Sequence, residues 1–335
     1  MTTNGVRTRL WRDGRLDEEG FPLERLSELL AEEGALVWVD LCEPDHPRLA
    51  TLAEELCLDR HAVEDAVALA ERPKATRHRT HTFVTAYATH LEDSGDPDDL
   101  GSRLATTRIS AFVLARGMVT VRQGEEFDFA PVLERWEENS DLLPLGPPAL
   151  LHGLLDVVVD GHFDTIQQLD DAIESLEDGL FDDRASTRET QQRTYRVRKE
   201  LVELRRVVLP MREVVNTVLR HRSEHTPAGN ELDGWYTDLY DHVLRASEWT
   251  ESLRDMVTTV FETNLSLQDA RLNTVMKKLT GWAAIIAVPT AVTGWFGQNV
   301  PYPGFGSPSG LVATSVIIVG LGLGLYVTFR RKGWL

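Results

Sequence analysis

Gln298 and Asn299 are neutral amides at the tip of a connector, GWFGQNVPYPGF, that carries no charge and separates two long apolar runs. An amide offers a carbonyl acceptor and an amino donor without ionising. The residues alone leave two readings open: ordinary polar capping of a turn, which Asn commonly does, or a polar lining presented to a ligand. The other chemistry-bearing side chains are dispersed. Ten histidines are scattered along the chain, and Cys42 and Cys57 provide neither a disulfide framework nor a metal-ligand cluster. The sequence holds no H-E-x-x-H, no P-loop and no G-x-S-x-G, and the apolar runs contain no titratable group, so nothing marks an enzyme.

The charge is unevenly spread. The 335 residues carry a formal net charge of −18. Residues 279–335 contain no acid and only Arg330, Arg331 and Lys332, which leaves 32 basic against 53 acidic side chains in the preceding 278 residues. An acidic body argues against nucleic acid, whose binding needs clustered Lys and Arg. It suits solubility, or a cationic partner. The opening segment MTTNGVRTRLWRDGR has no apolar run, so no secretory signal is expected.

The elements that flank the amides are apolar spans. Leu279 to Phe296 and Leu311 to Phe329 each approach the length a helix needs to cross a bilayer core, and neither holds an ionisable residue. Both are read as transmembrane helices. Lys277 and Lys278 precede the first; Arg330, Arg331 and Lys332 follow the second. The positive-inside rule then places both termini in the cytoplasm and the uncharged connector outside. Trp295, Tyr302, Phe305 and Trp334 suit interfacial belts. Pro289 should bend or loosen the first span. Gly320, Gly322 and Gly324 suggest close helix packing in the second.

The body divides by pattern. ALVWVDL (Ala35 to Leu41) reads as a short buried strand, Pro44 to Leu58 as a helix, and HAVEDAVAL as a second helix. HTFVTAYATHL alternates like a strand, TTRISAFVLARGMVTVR reads as two strands turning at Arg116-Gly117, and FAPVLERWEEN is helical. Interleaved strands and helices imply a mixed α/β domain. After Gly146 the pattern is helical. Asp156 to Asp183 has ten acids and no Lys or Arg, whereas Arg184 to Arg222 has eleven basic residues against four acids, so the two helices should pair antiparallel. HTPAGNELDG breaks the helix. From about Trp235 the pattern then runs into the first span for about 60 residues, or ~90 Å. A helix of that length needs neighbours, most simply copies of itself. The expected division is a mixed α/β domain over 1–148, a helical stalk over 149–278 and a two-helix membrane domain over 279–335.

This order of features resembles the CorA family of divalent-cation transporters, in its two-span G-x-N group. WVDL, HAVEDAV and ERPK are similar to the family's N-terminal domain. ELRRVVLPMREVV is similar to its paired helices, and WYTDLYDHVLRASEWTESLRDMV with LQDARLNTVMKKLT to its stalk. GQN, Gly297 to Asn299, stands where the family has G-x-N, most often with Met in the middle, and RRKGWL resembles the basic ending.

The resemblance implies an α+β cytoplasmic domain, a long helical stalk and two transmembrane helices, assembled as a homopentameric funnel in the cytoplasmic membrane. It implies transport of Mg2+, with Co2+ and Ni2+ as further cargo, and no organic cofactor. Gly297, Gln298 and Asn299 would form the selectivity ring, because neutral carbonyls can hold a hydrated ion without trapping it. Glu262, Asn273, Met276, Leu279 and Thr290 would line and gate the pore, with Met276 and Leu279 as an apolar constriction. Asp65 and Asp238 would share regulatory Mg2+ between neighbouring subunits and hold the funnel closed. Gln298 in place of Met, and an outer loop without the acid common in the magnesium branch, keep a zinc transporter open as an alternative. A non-conducting membrane-anchored sensor or scaffold is the other.

Overall fold

The computed structural model describes residues 5–68, 71–92, 101–180, 187–225, 231–298 and 301–335. The chain divides into two compact units, Met1–Val260 and Phe261–Leu335.

In the first unit β1 (Val6–Arg12) turns back into β2 (Arg15–Glu19). The two connecting residues, Asp13 and Gly14, have φ of 51° and 77°. Both positive values are what a type I′ hairpin turn requires, and Asp-Gly supplies them. Next come α1 (Leu26–Ala31), β3 (Ala35–Cys42), α2 (His46–Glu55), α3 (Arg60–Val67), β4 (Lys74–Arg77), β5 (Thr82–Leu91), β6 (Leu104–Val113), β7 (Gly117–Arg122) and α4 (Ala130–Glu138). The strands form one seven-stranded sheet in the order β2-β1-β3-β7-β6-β5-β4. The β3–β7 pairing is parallel and the others are antiparallel.

Helices cover both faces of this sheet, which explains why ALVWVDL is apolar almost throughout. Leu36 and Trp38 join one core, and Val37, Val39 and Leu41 join the other. The second core takes Leu49 and Leu52 from α2 and Ala62 and Ala66 from α3. The first is built on aromatic side chains. The Trp136 ring lies 5.1 Å from Trp38 and 5.8 Å from Trp11, and its indole N–H donates to the Leu150 carbonyl at 3.0 Å. Leu150 belongs to α5 (Pro147–Leu180), a 34-residue helix that packs on β5. Two polar links pin it. The His162 Nε2 pairs with the Tyr87 carbonyl at 2.7 Å, and His152 Nε2 with the Trp235 carbonyl at 3.2 Å.

α6 (Thr187–His225) follows and packs against α5. Arg193 of α6 donates to Ser175 Oγ of α5 at 3.1 Å. Other charges of the two helices reach further elements. Asp156 and Asp160 pair with Arg135 of α4, Glu200 with Arg103, and Arg205 with a glutamate, Glu251, in the last long helix of the unit. That helix, α7, runs from Glu231 to Phe296 over 66 residues and passes from the first unit into the second. It starts before the expected Trp235. Glu231 and Asp233 occupy its first turn, where carboxylates favour a helix start, and Gly234 is carried inside.

In the second unit α7 ends at Phe296 and α8 (Pro308–Arg331) follows. The two form a hairpin. Trp282 and Tyr326 stand 6.5 Å apart, and a Cβ built on Gly281 would touch Leu335 at 3.4 Å. The close packing expected of Gly320, Gly322 and Gly324 is not made within the chain: nothing lies within 4 Å of a Cβ at any of them. Gly281 of α7 instead lies against Leu335 and Phe329, both within 4 Å of a Cβ built there. α7 continues helical through Pro289.

Candidate functional site

The C-terminal end of α7 closes on Gly297. Its N–H donates to the Thr293 carbonyl at 2.8 Å, and Gln298 N–H to Trp295 at 3.4 Å. A Cβ on residue 297 would come within 2.8 Å of the Thr293 oxygen, so the tight turn requires glycine there. The Gln298 side chain is exposed. Asn299 lies outside the described residues. On the other side of the connector, Tyr302 stacks edge-on against Phe296 at 5.0 Å and Phe305 against Tyr302 at 5.4 Å. These rings tie the connector back to the end of α7. Ser307 Oγ then donates to the Gly304 carbonyl at 2.8 Å just before α8 begins.

Below the turn, the residues assigned to pore and gate are all on the surface of the single chain. Asn273 and Thr290 are exposed, Met276 is 57% exposed and Leu279 62% exposed. Every residue from 271 to 280 is exposed. Thr290 Oγ1 is turned to its own helix, 3.5 Å from the Ile286 carbonyl. Glu262 is likewise exposed, at the start of the second unit. Large apolar side chains accompany them: Leu272, Val275, Trp282 and Ile286 on α7, and Leu311, Val316 and Val319 on α8, are each at least half exposed. A soluble core helix would bury such residues. Here they require a medium or a partner outside the chain.

The two acids expected to share a regulatory ion sit in the first unit. Asp65, on α3, is bound by Lys74 of β4, whose Nζ stands 2.7 Å from Oδ2 and 3.1 Å from Glu71 Oε1. Burial alone would lower the pKa of this ammonium. Its hydrogen bonds to Asp65 and Glu71 outweigh that and hold it above the ordinary lysine value. Asp238, on α7, keeps an exposed carboxylate whose one described neighbour is His242 Nδ1 at 3.2 Å, and that nitrogen also meets the Asp238 carbonyl at 2.9 Å. Among the described residues no group of three or more His, Cys, Asp or Glu is placed to hold a metal within one chain.

Lys74 and Glu71 escaped the sequence analysis, because nothing local links position 74 to position 65. So did Arg122. Its Nε meets Asp40 Oδ2 at 2.9 Å in the buried sheet, where Thr120 Oγ1 donates to Oδ1 at 2.8 Å. Burial pushes the Asp40 carboxyl upward, against the pull of Arg122 and Thr120. Asp40 is therefore a structural carboxylate of the WVDL strand.

A mixed α/β body whose last helix enters a hairpin of exposed apolar helices defines an integral membrane protein built around a long helix. The chain matches the family described as CorA-like Mg2+ transporter protein over residues 33–331. It belongs to that family of divalent metal-ion transporters. It is 29% identical over 286 residues to the cobalt/magnesium transport protein CorA of Thermotoga maritima, covering 82% of this chain and 76% of that one. It is 24% identical over 324 residues to the zinc transport protein ZntB of Yersinia enterocolitica, covering 96% and 94%. The complete structure of the CorA magnesium transporter from Methanocaldococcus jannaschii superposes with a TM-score of 0.76 at 21% identity, over the whole of both chains. The α+β body, long helix and C-terminal apolar helix are thus those of a full-length CorA.

Proposed function

We propose that this protein conducts Mg2+ across the cytoplasmic membrane as a homopentamer, with Co2+ and Ni2+ as further cargo. The observation that carries this reading is the uninterrupted α7. In a chain of this family it exposes Asn273, Met276 and Leu279 on one side of the membrane-proximal stretch and ends in the Gly297 turn. Five copies would give those residues their neighbours. The amides of Gln298 and Asn299 would then ring the outer mouth, holding the ion through its water shell weakly enough to release it. Met276 and Leu279 would form the apolar constriction, Thr290 a polar collar, and Glu262 an acidic ring at the inner end. Asp65 and Asp238 of adjacent subunits would share the regulatory ion. Lys277 and Lys278 before the first span, and Arg330, Arg331 and Lys332 after the second, support a topology with both termini in the cytoplasm.

A second reading, Zn2+ transport, is favoured by two features: the match to ZntB over 96% of the chain, and Gln298 within an outer loop free of acids. Flux into proteoliposomes separates them, with Mg2+, Zn2+, Co2+ and Ni2+ supplied singly and Asn299→Ala as control. Mg2+ influx that collapses in the control supports the first reading. Zn2+ influx without Mg2+ influx supports the second. Absence of any flux from a folded pentamer sinks both and leaves a sensor or scaffold.

A further inference from the structure

One cleft of the first unit has the opposite charge to the body around it. It lies between the β4–β5 turn, the β6–β7 turn, the start of α5, the end of α6 and the first turns of α7, and has a volume of about 390 Å3. Arg77, Arg79 and Arg222 line it together with His78 and His81, and among the described residues no Asp or Glu does. In a chain of net charge −18 this is a local reversal of sign, and a cleft lined by one sign of charge draws ions of the other.

The arginines and histidines of the lining differ in how they are held. Arg222 is fixed, with Nη2 3.1 Å from Asp233 and its guanidinium 5.3 Å from the centre of the Tyr236 ring. Arg79 is exposed on the turn and makes no ion pair or hydrogen bond among the described residues. His78 has Asp59 3.5 Å behind it and stacks on His81, ring centres 4.8 Å apart and 16° from parallel. His81 is 4% exposed. Its Nδ1 meets Thr80 Oγ1 at 3.0 Å, and its Nε2 has no hydrogen-bond partner. A buried nitrogen without a partner is rare in a folded protein. The lining also includes the apolar side chains of Leu114, Leu151 and Val218.

We propose that this cleft binds a phosphate ester of nucleotide size. The fork of a guanidinium matches phosphate oxygens, so Arg77 and Arg79 would take the phosphate against the fixed charge of Arg222. The stacked imidazoles and the apolar side chains would receive a flat, poorly charged body. The volume lies in the range of small-molecule sites and exceeds what a bare phosphate fills. The inference stands apart from ion transport, since the cleft is complete within one chain and one unit.

The test is calorimetric titration of the full chain in detergent, in Mg2+-free buffer, with ADP, inorganic phosphate and adenosine as separate ligands. Saturable binding of ADP at one per chain is expected, with inorganic phosphate weaker and adenosine not measurable. Arg79→Glu should weaken ADP by about tenfold or more, and Arg79→Gln by less, as loss of a charge-assisted contact implies. Because residue 79 is exposed on a turn, both variants should unfold at the parent temperature. Absence of saturable ADP binding to millimolar concentration overturns the proposal. So does binding that Arg79→Glu leaves unchanged. Equal affinity for ADP and inorganic phosphate overturns the assignment of nucleotide size.

Discussion

Lys74 Nζ lies 2.7 Å from the carboxylate of Asp65 and 3.1 Å from that of Glu71, so the chain supplies its own cation to the acid that would bind a regulatory divalent ion. A fixed ammonium and an incoming ion compete for the same oxygen. Replacing Lys74 by Met removes the competitor while keeping the aliphatic stem. The half-exposed pair is worth up to about 1 kcal/mol, so the Mg2+ concentration that half-protects the full chain from trypsin should fall about fivefold. An unchanged midpoint would mean that Asp65 binds no ion. A midpoint that rises would mean that Lys74 supports the closed state.

Gly297 gives a second prediction. A Cβ at this position would press within 2.8 Å of the Thr293 carbonyl, the acceptor that closes the end of α7. Gly297→Ala must open that turn and displace the amides beyond it. Flux should drop by about tenfold, in line with the sensitivity of positioned groups to a displacement of about 1 Å, while assembly and thermal stability stay near the parent values. Flux equal to the parent would show that the turn does not position the outer mouth.

Met276 and Leu279 are exposed in the single chain, and either a pore constriction or packing against a neighbour would cover them. Leu279→Ser separates the two. An apolar ring gates by excluding water, so a hydroxyl there should raise basal flux several-fold when regulatory Mg2+ is saturating. A packing residue would instead lower the yield of pentamer and leave flux per pentamer unchanged.

Much of the fold is legible in the sequence, for reasons that differ by element. β3 announces itself because both faces of the central sheet are covered, so its run is apolar almost throughout, whereas β5 shows by alternation and β6 and β7 by two strand-like runs around Arg116-Gly117. The β1–β2 hairpin is nearly invisible, because β2 (RLDEE) is an exposed edge strand of mostly charged residues; only the Asp-Gly pair marks it. The residue types at the outer turn pointed to a cation pore through resemblance, and the need of Gly297 for its turn emerged only from geometry. Lys74 meets Asp65 because β4 follows α3 closely in the fold, whereas Arg122 with Asp40 is a pair made by strand order. Positions 40 and 122 are 82 residues apart and meet because β3 and β7 are parallel neighbours.

The Asp40–Arg122 pair itself predicts an asymmetry. Both side chains are buried and share their contacts with Thr120 and the Phe127 carbonyl. Removing the cation alone leaves a buried carboxylate without compensation, so Arg122→Met should destabilise the folded chain by about 3–5 kcal/mol. Removing both charges, with Asp40→Asn and Arg122→Met together, should cost distinctly less. Thermal unfolding of the two variants in detergent reads the difference. Equal losses would place the contribution in packing around the Arg122 stem.

His162 sets a pH dependence whose sign can be worked out. Its ring is fully buried, it meets the Tyr87 carbonyl at 2.7 Å through Nε2, and burial pushes its pKa from 6.5 down to about 4. The neutral form is the one the fold accepts. In the unfolded chain the ring takes a proton near pH 6.5, whereas in the folded chain it resists until about 4. The stabilisation is therefore complete above pH 6.5 and is lost as pH falls through the window from 6.5 to 4, by about 3 kcal/mol at the lower end. His81, held near 4 chiefly by burial, acts in the same direction. His162→Gln keeps an amide donor for the Tyr87 carbonyl and has nothing to titrate. Its unfolding temperature should start below the parent at pH 7.5, then fall less steeply between pH 6.5 and 4, so that the two curves converge. Parallel curves across that window would mean that His162 takes up its proton in the folded state without penalty, and that the Tyr87 link is not what anchors α5 to the sheet.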